Sequence, residues 1–152
     1  MGYQPLNRKT LPQFRERLDR ITCDTGRKWG TMTPAPMLAH LTRCLEISLG
    51  EIPSEDKSNI FTRTVMKWIF FDSPLPWPKG KIKAPPGFVP DTCDGFDIER
   101  VKLEAVLERF VSALENDPNR KIISAFFGPT PLSYHAKVNG RHMEHHLQQF
   151  GV

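Results

Sequence analysis

The chain has 152 residues, with 21 Lys and Arg against 17 Asp and Glu and 39% hydrophobic side chains, which suits one domain over residues 1–152 with a single substantial core. Its net charge of +4 is scattered rather than gathered into a dense basic stripe, which excludes phosphate-backbone recognition and leaves nucleic acid an unexpected partner. Cys23, Cys44 and Cys93 are odd in number with no CxxC pair, no run approaches a membrane span, the start has no apolar signal region, and Leu6 stands where a myristoylation motif on Met1-Gly2 wants Ser or Thr; a soluble, cytoplasmic protein is expected.

Thr10 followed by Gln13 has the capping-box form, and Leu11, Phe14, Leu18 and Ile21 recur at helical spacing, so a first helix is predicted to end near Gly26. Thr33-Pro34 opens a second, largely apolar helix from Met37 to Leu49, closed by Gly50, with His40 on the inner half of its wheel. Ile60, Phe61, Val65, Met66, Trp68, Ile69 and Phe70 predict a shorter, aromatic-rich third helix over about 58–71. The proline-rich stretch between Asp72 and Asp97 cannot propagate a helix and predicts a long crossover loop, of the kind that often serves as a lid or binding loop. Within it, Lys79, Lys81 and Lys83 could attract an anionic substrate or simply be solvated.

Asp97 is expected to cap a fourth helix with Val101, Leu103, Val106, Leu107, Phe110 and Leu114 in one stripe, ending near Asp117. Ile122 to Phe127 reads as a short extended piece. Thr130-Pro131 then opens the last helix, to about Gln149. With no strand pair joined by a hairpin turn, the expected fold is all-α: a four-helix bundle with an extra short helix and the long crossover loop.

Three of the five histidines fall between residues 142 and 146. On a helical wheel Lys137, Arg141, Glu144 and Gln148 share one arc, taken as the solvent side; Val138, Met143 and Phe150 lie opposite with His142 and His146, while His145 sits at the edge of the wet arc. An inward i, i+4 histidine pair can hold one metal ion, and it can equally be two hydrogen-bonded core side chains. His135 lies roughly 10 Å along the axis from His142, too far for the same ion, so a third ligand must come from elsewhere. His40 is the remaining histidine. Three imidazoles leave a position open for water or substrate and favour zinc, nickel, copper or iron over magnesium or calcium. Cys44, one turn after His40, could be a further ligand, a reactive thiol or a small buried side chain; His135 and Trp29 could line a pocket or merely pack.

The segment from His142 to Val152, His-Met-Glu-His-His-Leu-Gln-Gln-Phe-Gly-Val, resembles the C-terminus of a bacterial branch of the DinB-like superfamily, His-Leu-x-His-His-Leu-Arg-Gln-Phe-Gly-Val. Trp29 to Leu41 is similar to that branch's start of helix two, and Phe127-Gly128 to its Phe-Gly element before the last helix. The superfamily comprises four-helix-bundle proteins described as metal-dependent hydrolases and related to bacillithiol and mycothiol transferases. The resemblance implies a metal, often zinc or nickel, held by His40, His142 and His146. Ser124-Ala125 and His135 depart from the branch, which has His-Pro and Trp there; the ligand set is untouched, and the departures bear on the substrate.

The expected function is therefore a metal-dependent enzyme acting on a small molecule, transferring a low-molecular-weight thiol to an electrophile or hydrolysing its substrate. No catalytic acid or base is identified beyond His135 as a weak candidate. The alternative is a non-enzymatic protein, either metal-stabilised in a stress response or an association module forming a homodimer.

Overall fold

The computed structural model describes residues 3–152, so Met1-Gly2 and the myristoylation reading lie outside it. The described residues are about half helical, with five α-helices and one small antiparallel ribbon. Helix α1 (Leu11–Leu18) buries Leu11, Phe14 and Leu18. It is two turns long and stops well before Gly26. The capping box does not form, because the Thr10 hydroxyl accepts from Asn7 N–H at 3.0 Å and donates to Pro5 carbonyl at 2.6 Å, turning the cap toward the preceding segment.

Helix α2 (Pro34–Leu49) starts on its proline and ends at Gly50, whose φ of 77° is the left-handed conformation that glycine adopts without a Cβ clash. Helix α3 (Lys67–Phe71) continues a π-helical turn, Thr62–Met66. Its start is held reciprocally: Asn59 N–H donates to Thr62 Oγ1 at 2.8 Å and Thr62 N–H to Asn59 Oδ1 at 3.1 Å. Much of its apolar surface faces outward, with Ile60 81% and Trp68 56% exposed. Helix α4 (Phe96–Asn116) is capped by Gly95, with Asp97 inside its first turn, and buries Leu103, Val106, Leu107 and Phe110 while Val101 stays exposed.

Strands β1 (Lys121–Ser124) and β2 (Gly128–Pro131) pair antiparallel, Lys121 opposite Pro131 and Ser124 opposite Gly128. This corrects the all-α expectation. Two prolines in four residues argue against a strand, but Pro129 and Pro131 are two apart, so their missing N–H groups share the side facing away from β1 in a two-stranded ribbon. Helix α5 (Leu132–Phe150) follows directly with Pro131 as its N-cap; Thr130 does not cap it.

Helix α2 packs along α4 and α5, and α1 and α3 lie against α5. Leu38, Leu41 and Leu45 of α2, Leu107 and Phe110 of α4, and Met143 and Leu147 of α5 share one buried core. Helices α2 and α5 run antiparallel, since His40 meets His142 and, eight residues on, Ser48 meets Asn139. The segment before α1 crosses α5 at Gly140, where Leu6 N–H donates to Ala136 carbonyl at 2.8 Å.

Arg141 corrects the wheel. It is 3% exposed rather than solvated, and its guanidinium donates to the carbonyls of Ile69, Phe70, Ser73 and Leu75. The end of α3 and the loop beyond it thus hang on the residue next to His142. A wheel averages over a helix and cannot see that another segment's unpaired carbonyls wait on its polar side.

Candidate metal centre

His40, on α2, is buried, and its Nδ1–H donates to Phe88 carbonyl at 2.7 Å. That bond leaves Nε2 as the free lone pair. His146, on α5, is anchored in the same way. Its Nδ1 is 2.8 Å from Gln149 Oε1, while Gln149 Nε2 donates to Trp29 carbonyl at 2.9 Å. The second contact fixes the amide so that its oxygen faces the ring, and Nδ1 must then be the donor and Nε2 the lone pair.

Between them stands His142, whose Nε2 is 3.0 Å from Nε2 of both His40 and His146. The three nitrogens lie within 4.8 Å of one another. A hydrogen on His142 Nε2 can satisfy only one neighbour, so three imidazoles alone leave a lone pair facing nitrogen. A single cation at their centre satisfies all three. Ligands at 2.0–2.1 Å from a tetrahedral ion stand about 3.3 Å apart, so the two 3.0 Å separations suit a transition metal as they stand, and the outer pair, His40 and His146, would draw together around it.

The electrostatics agree with neutral ligands. Burial holds His146 down to about 3, reinforced by His40 and opposed by the Gln149 hydrogen bond. Burial likewise puts His142 well below the ordinary imidazole value, with its three histidine neighbours adding to the effect, and lowers His40 against the pull of Phe88. At neutral pH the nitrogens therefore have no proton to lose before binding a metal.

Above the triad opens a cavity of about 380 Å³, walled by Phe70, Phe71, Trp77, Phe88, Phe126 and Phe127. These come from α3, the crossover loop and the β-ribbon turn, so the predicted loop does cover the site. His145 stands half-buried at the edge, 6.0 Å between ring centroids from both Trp29 and Trp77.

Cys44 lines the cavity with Sγ 3.7 Å and 3.9 Å from the nitrogens of His40. Burial pushes its thiol up to about 12, so it stays protonated. His135 lines the cavity away from the triad, its Nε2 2.9 Å from Thr130 Oγ1 and its pKa held by burial at about 4. Trp29 contributes its carbonyl to the His146 relay, and its ring lies under the Lys79 ammonium at 4.6 Å. Of the three loop lysines, Lys83 reaches the cavity wall.

The sequence reading missed Gln149 and Phe88, the partners that orient the ligands. Gln149 was within reach, since it sits three residues after His146 on the same helical face. Phe88 acts through its backbone and leaves no side-chain signal. Comparison with protein-family models, with curated proteins and with solved structures gave no match.

Proposed function

We propose that this chain is a metal-dependent enzyme acting on a small molecule, most closely a thiol transferase or hydrolase on a DinB-like four-helix bundle formed by α1, α2, α4 and α5. The observation that carries the reading is the convergence of three Nε2 atoms, two of them fixed as lone pairs by hydrogen bonds on the opposite ring nitrogen. Three nitrogens leave one side free, and that side faces the cavity. A divalent transition metal held there, of the kind imidazole donors favour and zinc or nickel by the family resemblance, would lower the pKa of a thiol or water and hold the anion beside an electrophile.

The chain's own residues supply the rest. His40, His142 and His146 would hold the ion, Phe88 and Gln149 orient the rings of His40 and His146, and the aromatic walls would keep water from the reacting atoms. No protein nucleophile is required, which accords with a Cys44 thiol kept neutral by burial.

The test is elemental analysis of protein purified without an affinity tag. About one transition metal per chain is expected, lost in His142→Ala together with thiol-transfer activity toward small electrophiles. Absence of stoichiometric metal under varied zinc and nickel supply overturns the reading. Metal lost without any activity to lose, and with a large fall in melting temperature, would mark a structural site instead.

A further inference from the structure

The antiparallel pairing of α2 and α5 places two stripes face to face across the cavity. Helix α2 presents His40, Cys44 and Ser48 at successive turns; α5 presents His135, Asn139, His142 and His146. The triad uses one end of this arrangement. The other end holds a second polar cluster that the proposed chemistry does not use.

There, Asn139 Nδ2 donates to Ser48 Oγ at 2.9 Å and to His135 carbonyl at 2.8 Å, while His135 Nε2 meets Thr130 Oγ1. Ser48, His135 and Asn139 are all buried and all line the cavity. Asn139 Oδ1 and His135 Nδ1 have no hydrogen-bond partner among the described residues, and neither is sealed off as Trp77 Nε1 is. The Ser48 hydroxyl accepts from Asn139 and keeps its own hydrogen to give. Buried polar groups left open in an otherwise apolar pocket fix the orientation of a ligand.

We propose that Ser48, His135 and Asn139 form a second ligand subsite, at the end of the cavity away from the three histidines, that takes the hydroxyl group of an uncharged aromatic molecule. The walls between the two ends are aromatic, which selects the body of the ligand. Charge is selected against: among the described residues Lys83 is the one lining residue with a permanent charge, it is exposed, and an ionised group at the inner end would be desolvated without a counterion. A hydroxyl matches the set because it can donate to Asn139 Oδ1 while accepting from Ser48. Asn139 and His135 lie three and seven residues before His142, so the hydroxyl sits roughly 5–10 Å along the helix from the reacting end. The inference rests on the proposed function only in taking the histidine end as the reacting one.

Calorimetric titration of zinc-free protein with 2-naphthol and 2-methylnaphthalene, which differ by hydroxyl against methyl, tests it. The wild type is expected to bind 2-naphthol about tenfold more tightly, the scale of one good hydrogen bond in a dry site. Asn139→Leu and Ser48→Ala should each cut that preference to below about threefold, leaving 2-methylnaphthalene affinity within about twofold. His142→Ala, which removes a metal ligand, should keep the preference, so failure of the metal reading and failure of the subsite remain separate results. Equal affinities in the wild type, no binding of either probe, or a preference that survives both substitutions overturns the subsite. Ser48→Ala deletes a single oxygen and carries the test if Asn139→Leu does not fold.

Discussion

At the scale of single residues, the five histidines occupy three environments. His40, His142 and His146 converge; His145 stands at the rim; His135 is buried beside Thr130. The buried ones make the metal-free protein sensitive to acid in a defined window. His135 is held at about 4 and His146 at about 3, against about 6.5 in the unfolded chain. Between those limits the unfolded state binds more protons, so stability is whole above about pH 6.5 and is lost as pH falls toward 4 and 3. Melting temperatures measured in chelator from pH 8 to pH 4 should decline below 6.5, and His135→Phe should flatten part of the decline. A flat profile for both proteins would contradict the buried, neutral state of these rings.

At the scale of elements, Gly140 sets helix propensity against sterics. Glycine in the middle of α5 costs about 1 kcal/mol relative to alanine, so propensity alone favours Gly140→Ala. A Cβ there would stand 2.8 Å from Leu6 N and 2.9 Å from Pro5 C, backbone atoms that cannot turn aside. Overpacking of this kind costs about 1–3 kcal/mol and displaces the segment that donates to Ala136. Denaturant melts should therefore show Gly140→Ala destabilised; a stabilised variant would mean that the segment detaches freely.

The elements also show what could be read from the chain and what could not. Helices α2 and α4 announce themselves through apolar periodicity and clear end signals, and His40 and the 142/146 pair could be placed on inward faces by the same arithmetic. Arg141 was misplaced because its partners are backbone carbonyls some 70 residues earlier, invisible to any local pattern. The ribbon was missed because Pro129 and Pro131 speak against a strand everywhere except at an edge. The polar cluster of Ser48, His135 and Asn139 could be seen only once the direction of α2 against α5 was known.

For the whole molecule, the triad joins helices whose ligands are 102 residues apart, and α4 and the ribbon lie between them in the chain. A cation that binds only the folded state stabilises it by mass action, about 2.7 kcal/mol at a hundred times its dissociation constant. For a chain of this size that raises the melting temperature by roughly 5–10 °C. Differential scanning calorimetry with and without zinc should show this shift in the wild type and lose it in His40→Ala and in His146→Ala alike, because either substitution breaks the link between α2 and α5. A shift that persists in both variants would place the zinc elsewhere.

Gly30 lies far from the cation by chain order, yet it governs one of the atoms that would hold it. Its φ is +75°, and a Cβ there would stand 2.7 Å from Gln149 Nε2, the amide that gives its hydrogen to Trp29 and turns its oxygen toward His146. A methyl at residue 30 would push that amide off station and free the imidazole to exchange tautomers, putting a hydrogen where a donor pair belongs. One carbon atom at the surface would thus disturb a proposed donor of the centre, with all three histidines of the triad still in place.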